Sequence, residues 1–240
     1  MDYKDYLSGK SESNFWFRAK RDLITDLLEK NYPRHSEKLK ILSIGVGTGD
    51  ELEILNKFGE VYIIDIEKKA LELIPNKFYK KKMVCDACNI KYKDNFFDLV
   101  VSFDVFEHIK DDKKAISEVH RVLKQKGTLI FSVPAFQFLY GPHDRALNHK
   151  RRYSKNKIKK RLERFEQISL DYWNFFLFLP LAIMRILKKN STPKVENPNL
   201  NPLIGALLYK ILKLENFLIR KNFKTPFGIT IVGVYKNKKD

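Results

Sequence analysis

The chain reads as an α/β protein built on a mostly parallel sheet with helices on both faces. Three observations predict it. Apolar runs of strand length alternate with amphipathic runs of helix length from about residue 40 to residue 135. The first such pair is joined by the tight turn GVGTG. The 240 residues, 44% of them hydrophobic, supply enough apolar surface for a real core.

The elements follow in order. FWFRAKRDLITDLLEKNY (15–32) is a helix that Pro33 stops. KILSIG is a short buried strand, and DELEILNKF opens a helix directly after the glycines. VYIIDI is the second strand, KKALELIPN a helix, KKMVCDA the third strand and FDLVVSFD the fourth. In DDKKAISEVHRVLKQKG, Ile116, Val119, Val122 and Leu123 share one helical face, with Gly127 as terminator; TLIFSVP is the fifth strand. Beyond residue 135, SKNKIKKRLERF is a basic helix that Ser154 can N-cap, and QISLDYWN is a sixth strand. Two apolar helices, 175–189 and about 203–222, flank the linker NSTPKVENPNLNP, and ITIVGVY closes the chain as a last strand. A helical insertion over about 175–222 thus separates the last two strands.

The formal charge is +17, most of it from scattered lysines. Lys150, Arg151, Arg152, Lys155, Lys157, Lys159, Lys160, Arg161 and Arg164 form a denser block, suited to phosphates, anionic headgroups or water. The N-terminus lacks a secretory pattern and only Cys85 and Cys88 occur, so a cytoplasmic chain without structural disulfides is expected. CDAC has no partner Cys pair and no histidine at ligand spacing, so it reads as two half-buried thiols, and no metal site is expected. YWNFFLFLPLAIMRIL (172–187) falls short of the ~20 apolar residues a membrane span needs and carries Pro180 and Arg185. It reads as a core or interfacial element.

Gly45, Gly47 and Gly49 permit positive φ and close backbone approach to a ligand, which points to a nucleotide. A dinucleotide fingerprint would place its third glycine where the chain has Asp50, and no Gly-Lys-Ser/Thr follows for a Walker loop. A tight strand-to-helix turn without a ligand is the alternative. Asp65 ends the second strand, where a carboxylate can accept both hydroxyls of a ribose; Asp86 follows the third, within reach of an adenine amine.

With these motifs in this order, the sequence resembles the class I S-adenosylmethionine-dependent methyltransferases over about residues 40–135. ILSIGVGTGD looks like their first motif, VYIIDIEKKAL the second, CDACNI the adenine-side segment, FDLVVSFDVFEHI the fourth-strand motif and VLKQKGTLIFSVP the fifth. The resemblance implies a Rossmann-like seven-stranded sheet with an antiparallel last strand, and S-adenosylmethionine as cofactor. It implies that Gly45, Gly47 and Gly49 line the methionine and ribose portions, that Asp65 holds the ribose with Ile66 beside it, that Asp86 and Ala87 read adenine, and that Asp104 sits near the methionine. The family commonly carries an acid where this chain has Ser43, and Asp50 or Glu51 are the available substitutes.

SNFWFRAKRDLI and HDRALNHKRRYSKNKIKKRLE are similar to a microbial subgroup linked to polysaccharide and glycolipid pathways. On this reading residues 1–240 are one domain: an N-terminal helical lid (1–39), a cofactor-binding core (40–135) and an acceptor side (136–240). Phe15, Trp16, Phe17, Arg18 and Arg21 serve the lid or pack on the sheet. Ligands in open parallel sheets lie beyond the strands' carboxyl ends, which places His143 with Asp144, or His149, as a candidate base. Arg145, Arg151, Arg152 and Tyr153 are candidate acceptor-binding residues, or tie the loop down by internal pairs. His108 reads as a helix-start or cofactor-wall residue, His35 and His120 as surface. The expected reaction is methyl transfer to a small-molecule, glycan or lipid-linked acceptor. The insertion builds the pocket, touches a membrane peripherally, packs on the sheet or forms a dimer contact. An RNA methyltransferase using residues 150–164 and a non-catalytic scaffold are the alternatives; SFDVF and SVPAF lack the NPPY-type loop of many base methylases, which disfavours nucleic acid.

Overall fold

The structure, a computed structural model, describes residues 14–32, 38–193 and 200–238. Pro33, His35, the first thirteen residues of the expected lid and positions 194–199 of the linker lie outside the described residues.

The strands are β1 (Leu39–Ile44), β2 (Gly59–Asp65), β3 (Lys81–Val84), β4 (Phe97–Phe103), β5 (Leu123–Pro134), β6 (Phe165–Trp173) and β7 (Thr230–Asn237). They form one seven-stranded sheet in the order β3-β2-β1-β4-β5-β7-β6. The first five pair in parallel, whereas β7 runs antiparallel to both β5 and β6, as expected. The helices are α1 (Phe15–Asn31), α2 (Leu52–Leu55), α3 (Lys68–Leu73), α4 (Asp112–Val122), α5 (Pro142–Ala146), α6 (Lys155–Arg161), α7 (Phe178–Leu187) and α8 (Pro202–Arg220).

Alternation along the strands sorts the core onto two faces. Leu42, Ile44 and Val100 meet Ile116 and Val119 of α4 and Ile158 of α6 on one face. Ile41, Ile63 and Val101 meet Leu23, Leu27 and Leu28 of α1 and Leu212 and Ile219 of α8 on the other. Chain order reverses between β1 and β4, which opens a crevice at the carboxyl ends of these two strands.

Local competition moved several boundaries. The helix after the glycines shrinks to the four residues of α2, because the Asn56 amide donates to the carbonyls of Leu52 and Phe78 and Gly59 already begins β2. Helix α4 ends at Val122 rather than at Gly127: Leu123 pairs with Phe97 in the sheet, and the register shifts before Leu99 meets Thr128. His120 is 8% exposed and packs edge-on against Phe165, so it is interior rather than surface. Ser154 caps α6 as expected, accepting from the Lys157 amide at 3.2 Å.

The insertion helices divide their roles. Helix α8 docks on α1: Asn216 donates to the Ala19 carbonyl at 2.8 Å, and Tyr209 donates to Asp22 at 2.7 Å. Trp173, at the end of β6, donates to Asn216 at 2.9 Å and meets Trp16 edge-on at 5.2 Å. Helix α7 buries only Ala182.

Candidate functional site

The site is built on the carboxyl ends of β3, β2, β1 and β4. Past Ile44 the chain turns through Gly45, Gly47 and Gly49 at φ of 68°, 51° and 75°. A Cβ at Gly45 would lie 2.5 Å from a Val105 methyl, and one at Gly49 would lie 2.6 Å from Ile74 Cδ1. Backbone conformation and packing thus both demand glycine at these two positions.

The turn is fixed to the tip of β2. Gly47 N–H donates to one Asp65 carboxylate oxygen at 3.1 Å, and Glu67 N–H to the other at 2.9 Å. Ile66 follows, 68% exposed. Cys85 N–H donates to the Asp65 carbonyl at 2.9 Å, which brings Asp86 to the same edge, where it accepts from the Cys88 amide; Ala87 is buried. Both thiols are free, and burial with Asp86 beside it pushes Cys88 up to about 11, so it stays protonated at neutral pH.

A second group of polar residues lies across the turn. Ser43 Oγ donates to Glu51 Oε1 at 2.7 Å, so the acid missing at position 43 reaches that place from eight residues on. Burial raises the Glu51 pKa. Asp50 Oδ2 is buried without a hydrogen-bond partner. From α1, Phe17, Lys20, Arg21 and Ile24 face Gly45, Thr48, Asp50 and Glu51 across a cleft. Lys20 pairs with Asp104 at 2.6 Å, and Ser132 donates to the other Asp104 oxygen at 2.8 Å. Burial alone would raise the Asp104 pKa, but Lys20 and Ser132 hold its carboxyl well below the usual range. Its φ of 55°, unusual for a residue with a side chain, marks a strained position. Arg18 turns away and stacks over Tyr209 at 4.2 Å.

Beyond β5, Asp144 organises the loop that precedes α6. Fully buried, it accepts from Gly141 N–H at 2.9 Å and Arg152 Nε at 2.8 Å, and it lies 2.9 Å from His149 Nδ1. Burial opposes ionisation here, yet the His149 and Arg152 hydrogen bonds win and hold the carboxyl well below its usual range. An ionised Asp144 only accepts, so Nδ1 of His149 is the donor in this pair. Burial, reinforced by Arg185, pushes His143 down to about 3 and keeps it neutral.

The candidate acceptor-binding residues are turned inward or pinned. Arg152 is 2% exposed and also donates to the Ala135 carbonyl at 3.1 Å. Tyr153 is fully buried and donates to Asp112 at 2.8 Å. Arg151 and Arg161 pair with the same Asp112 at 3.2 and 3.1 Å. Arg145 is exposed and donates to the carbonyls of Lys189 and Ser191. Lys155 and Lys157 lie over Tyr172 and Tyr153. Much of the basic block therefore closes the loop, and Lys150, Lys159, Lys160 and Arg164 remain as its exposed cations.

Two groups near the site were not singled out in the sequence. Lys20 reaches Asp104 across 84 positions, a pairing with no local signal. Glu107 is fully buried, and a ligand atom of its side chain lies within 4.8 Å of ones on His108 and His149. The His108 and His149 rings meet edge-on at 4.6 Å.

The sheet order, the reversed β7 and the site at the β1–β4 crevice define the Rossmann-like methyltransferase fold. Residues 42–131 match the model of the methyltransferase domain family. The chain is 34% identical over 107 residues to an uncharacterized protein of Methanocaldococcus jannaschii, an alignment covering 45% of each chain. It is 30% identical over 161 residues to a ubiquinone/menaquinone biosynthesis C-methyltransferase of Neisseria gonorrhoeae, covering 58% of this chain and 64% of that one. The chain spans about half the length, or less, of the first curated relatives it matches. In three dimensions it is similar to an N-methyltransferase of Bradyrhizobium japonicum determined with S-adenosyl-L-homocysteine. The TM-score is 0.60 at 13% identity, over 95% of this chain and 90% of that one.

Proposed function

We propose that the chain is an S-adenosylmethionine-dependent methyltransferase acting on a small-molecule, glycan or lipid-linked acceptor. The observation that carries this reading is the unbroken row of Asp86, Asp65, the glycine turn and Asp104 along four adjacent strand ends, inside the segment that matches the methyltransferase family. The residues fit the cofactor. Asp65 offers carboxylate lone pairs to a ribose diol, exposed Ile66 offers an apolar face to a base, and the unpartnered oxygen of Asp50, with Glu51 behind it, suits an ammonium group. Bound there, the cofactor's sulfonium supplies an electrophilic methyl group.

The chain's own residues then position and activate. Helix α1 closes the cleft with Phe17 and Arg21, and Lys20 holds Asp104 in its strained conformation. Asp144 holds His149 through Nδ1, which leaves Nε2 as the candidate atom to receive a proton; His143, kept neutral, lies beside it. Arg152 and Tyr153 act by holding this loop, and Arg151 and Arg145 border it.

A lipid-linked acceptor, met at a membrane surface, is favoured by a specific observation. Leu179, Ile183, Ile186 and Leu187 repeat along one face of α7 and are all at least half exposed, beside exposed Lys188 and Lys189. Among the described residues no helix is long and apolar enough to cross a membrane, so seating would be peripheral. The test is incubation with methyl-labelled S-adenosylmethionine and cell extract, followed by separation into organic-soluble, glycan, RNA and protein fractions. Label in the organic or glycan fraction, absent with an Asp65→Ala variant, is the expected result. Label in RNA alone would replace the acceptor class, and cofactor binding with no labelled product would favour the scaffold alternative.

A further inference from the structure

Glu107 stands at the start of the turn after β4 and is fully buried, yet neither of its carboxylate oxygens meets a hydrogen-bond donor. Such a group is costly unless something cationic is supplied to it. What faces it is two imidazoles. Ligand atoms of Glu107, His108 and His149 lie within 4.8 Å of one another. Three ligands each about 2.1 Å from one tetrahedral ion stand roughly 3.4 Å apart, so side-chain shifts of about an ångström close the set.

The surroundings are built for ligation. Asp144 binds Nδ1 of His149 at 2.9 Å, as a carboxylate commonly does behind a metal-bound histidine, and leaves Nε2 as the nitrogen available to an ion. The Tyr140 hydroxyl donates to the His149 carbonyl at 2.8 Å, and Lys150 N–H donates to the Glu107 carbonyl at 2.7 Å. These bonds fix both backbones, so the site is held before any ion arrives.

We propose that Glu107, His108 and His149 bind a divalent transition-metal ion, zinc or manganese being the ions that two imidazoles and one carboxylate suit. Three protein ligands leave at least one position for an oxygen atom. The site itself does not depend on the methyltransferase reading. Its use does: with the ion bound, His149 is a ligand, and the ion takes over the activation of an acceptor oxygen assigned to His149 above.

The test strips the purified chain with chelator, dialyses it, and titrates cobalt(II) by its visible absorption, with zinc and manganese as competitors. Saturation at about one equivalent is expected, with about tenfold or greater weakening in Glu107→Gln and in His149→Asn. Melting curves establish that the variants are folded, and His108→Gln serves if one is not. No saturable binding to the folded chain, or binding unchanged in these variants, overturns the proposal. S-adenosylhomocysteine titrated into the same metal-free sample reports on the cofactor separately, so either reading can fail alone.

Discussion

Glu51 reaches back from the end of the glycine turn to the Ser43 hydroxyl and presents its carboxylate where the first motif otherwise has none. Glu51→Gln keeps that hydrogen bond's acceptor but removes the charge, and a charge-assisted contact is worth about 1.5–3 kcal/mol. Calorimetry should therefore show S-adenosylhomocysteine binding weakened about tenfold or more, and unchanged affinity would remove Glu51 from the site. Gly45→Ala is a stability test: its Cβ would meet Val105 at 2.5 Å in a backbone at φ 68°. We expect a loss of about 2 kcal/mol or more, seen as a melting temperature lower by about 4–8 °C. The placement of the glycines, Asp65 and Asp86 at adjacent strand ends was legible because it depends on spacing within a strand and its following turn. Lys20, Glu107 and the Asp112 and Asp144 partners of Arg151, Arg152 and Tyr153 were not, because only the folded chain brings them together. A basic stretch looks solvated until the carboxylates that bury it are in place.

Between elements, the clearest prediction concerns the joint of α8 with the end of β6. Glu215 is fully buried and accepts the Phe175 amide at 2.9 Å; burial pushes it from 4.5 up to about 7. Below about pH 4.5 the group is protonated in both states and costs nothing. As pH rises to about 7 the unfolded chain gives up the proton while the folded chain retains it, so stability falls across that window and then levels. Glu215→Gln should remove this slope, gaining about 2–3 kcal/mol on the native chain between pH 5 and pH 8. Equal pH dependence of the two melting temperatures would contradict the assignment. Element order was readable throughout, since alternation and amphipathic period survive in each segment. Lengths were not: α2 yields to the side chain of Asn56, and α4 yields to the pairing of Leu123 with Phe97. The alternative of plain packing holds for α8, whose buried face lies against α1, and for one face of α7, where Phe178, Leu181 and Ala182 pack with Leu139 and Ile229 while the opposite face stays exposed.

At the scale of the whole molecule, the sheet order places one row of polar groups at the crevice and an apolar helix face outside it. Leu179, Ile183 and Leu187 face outward at 64%, 56% and 80% exposure. If this face seats on lipid, the chain should float with anionic vesicles, and replacing all three with serine should release it without lowering the melting temperature. A native chain that stays in the pellet fraction with such vesicles would end that reading. The central claim rests on the glycine turn and its carboxylates, and calorimetric titration with S-adenosylmethionine and S-adenosylhomocysteine tests it most directly. Saturable binding of both at one equivalent, weakened about tenfold or more by Asp65→Ala, is the predicted result; no heat of binding to the folded native chain at millimolar ligand would contradict it.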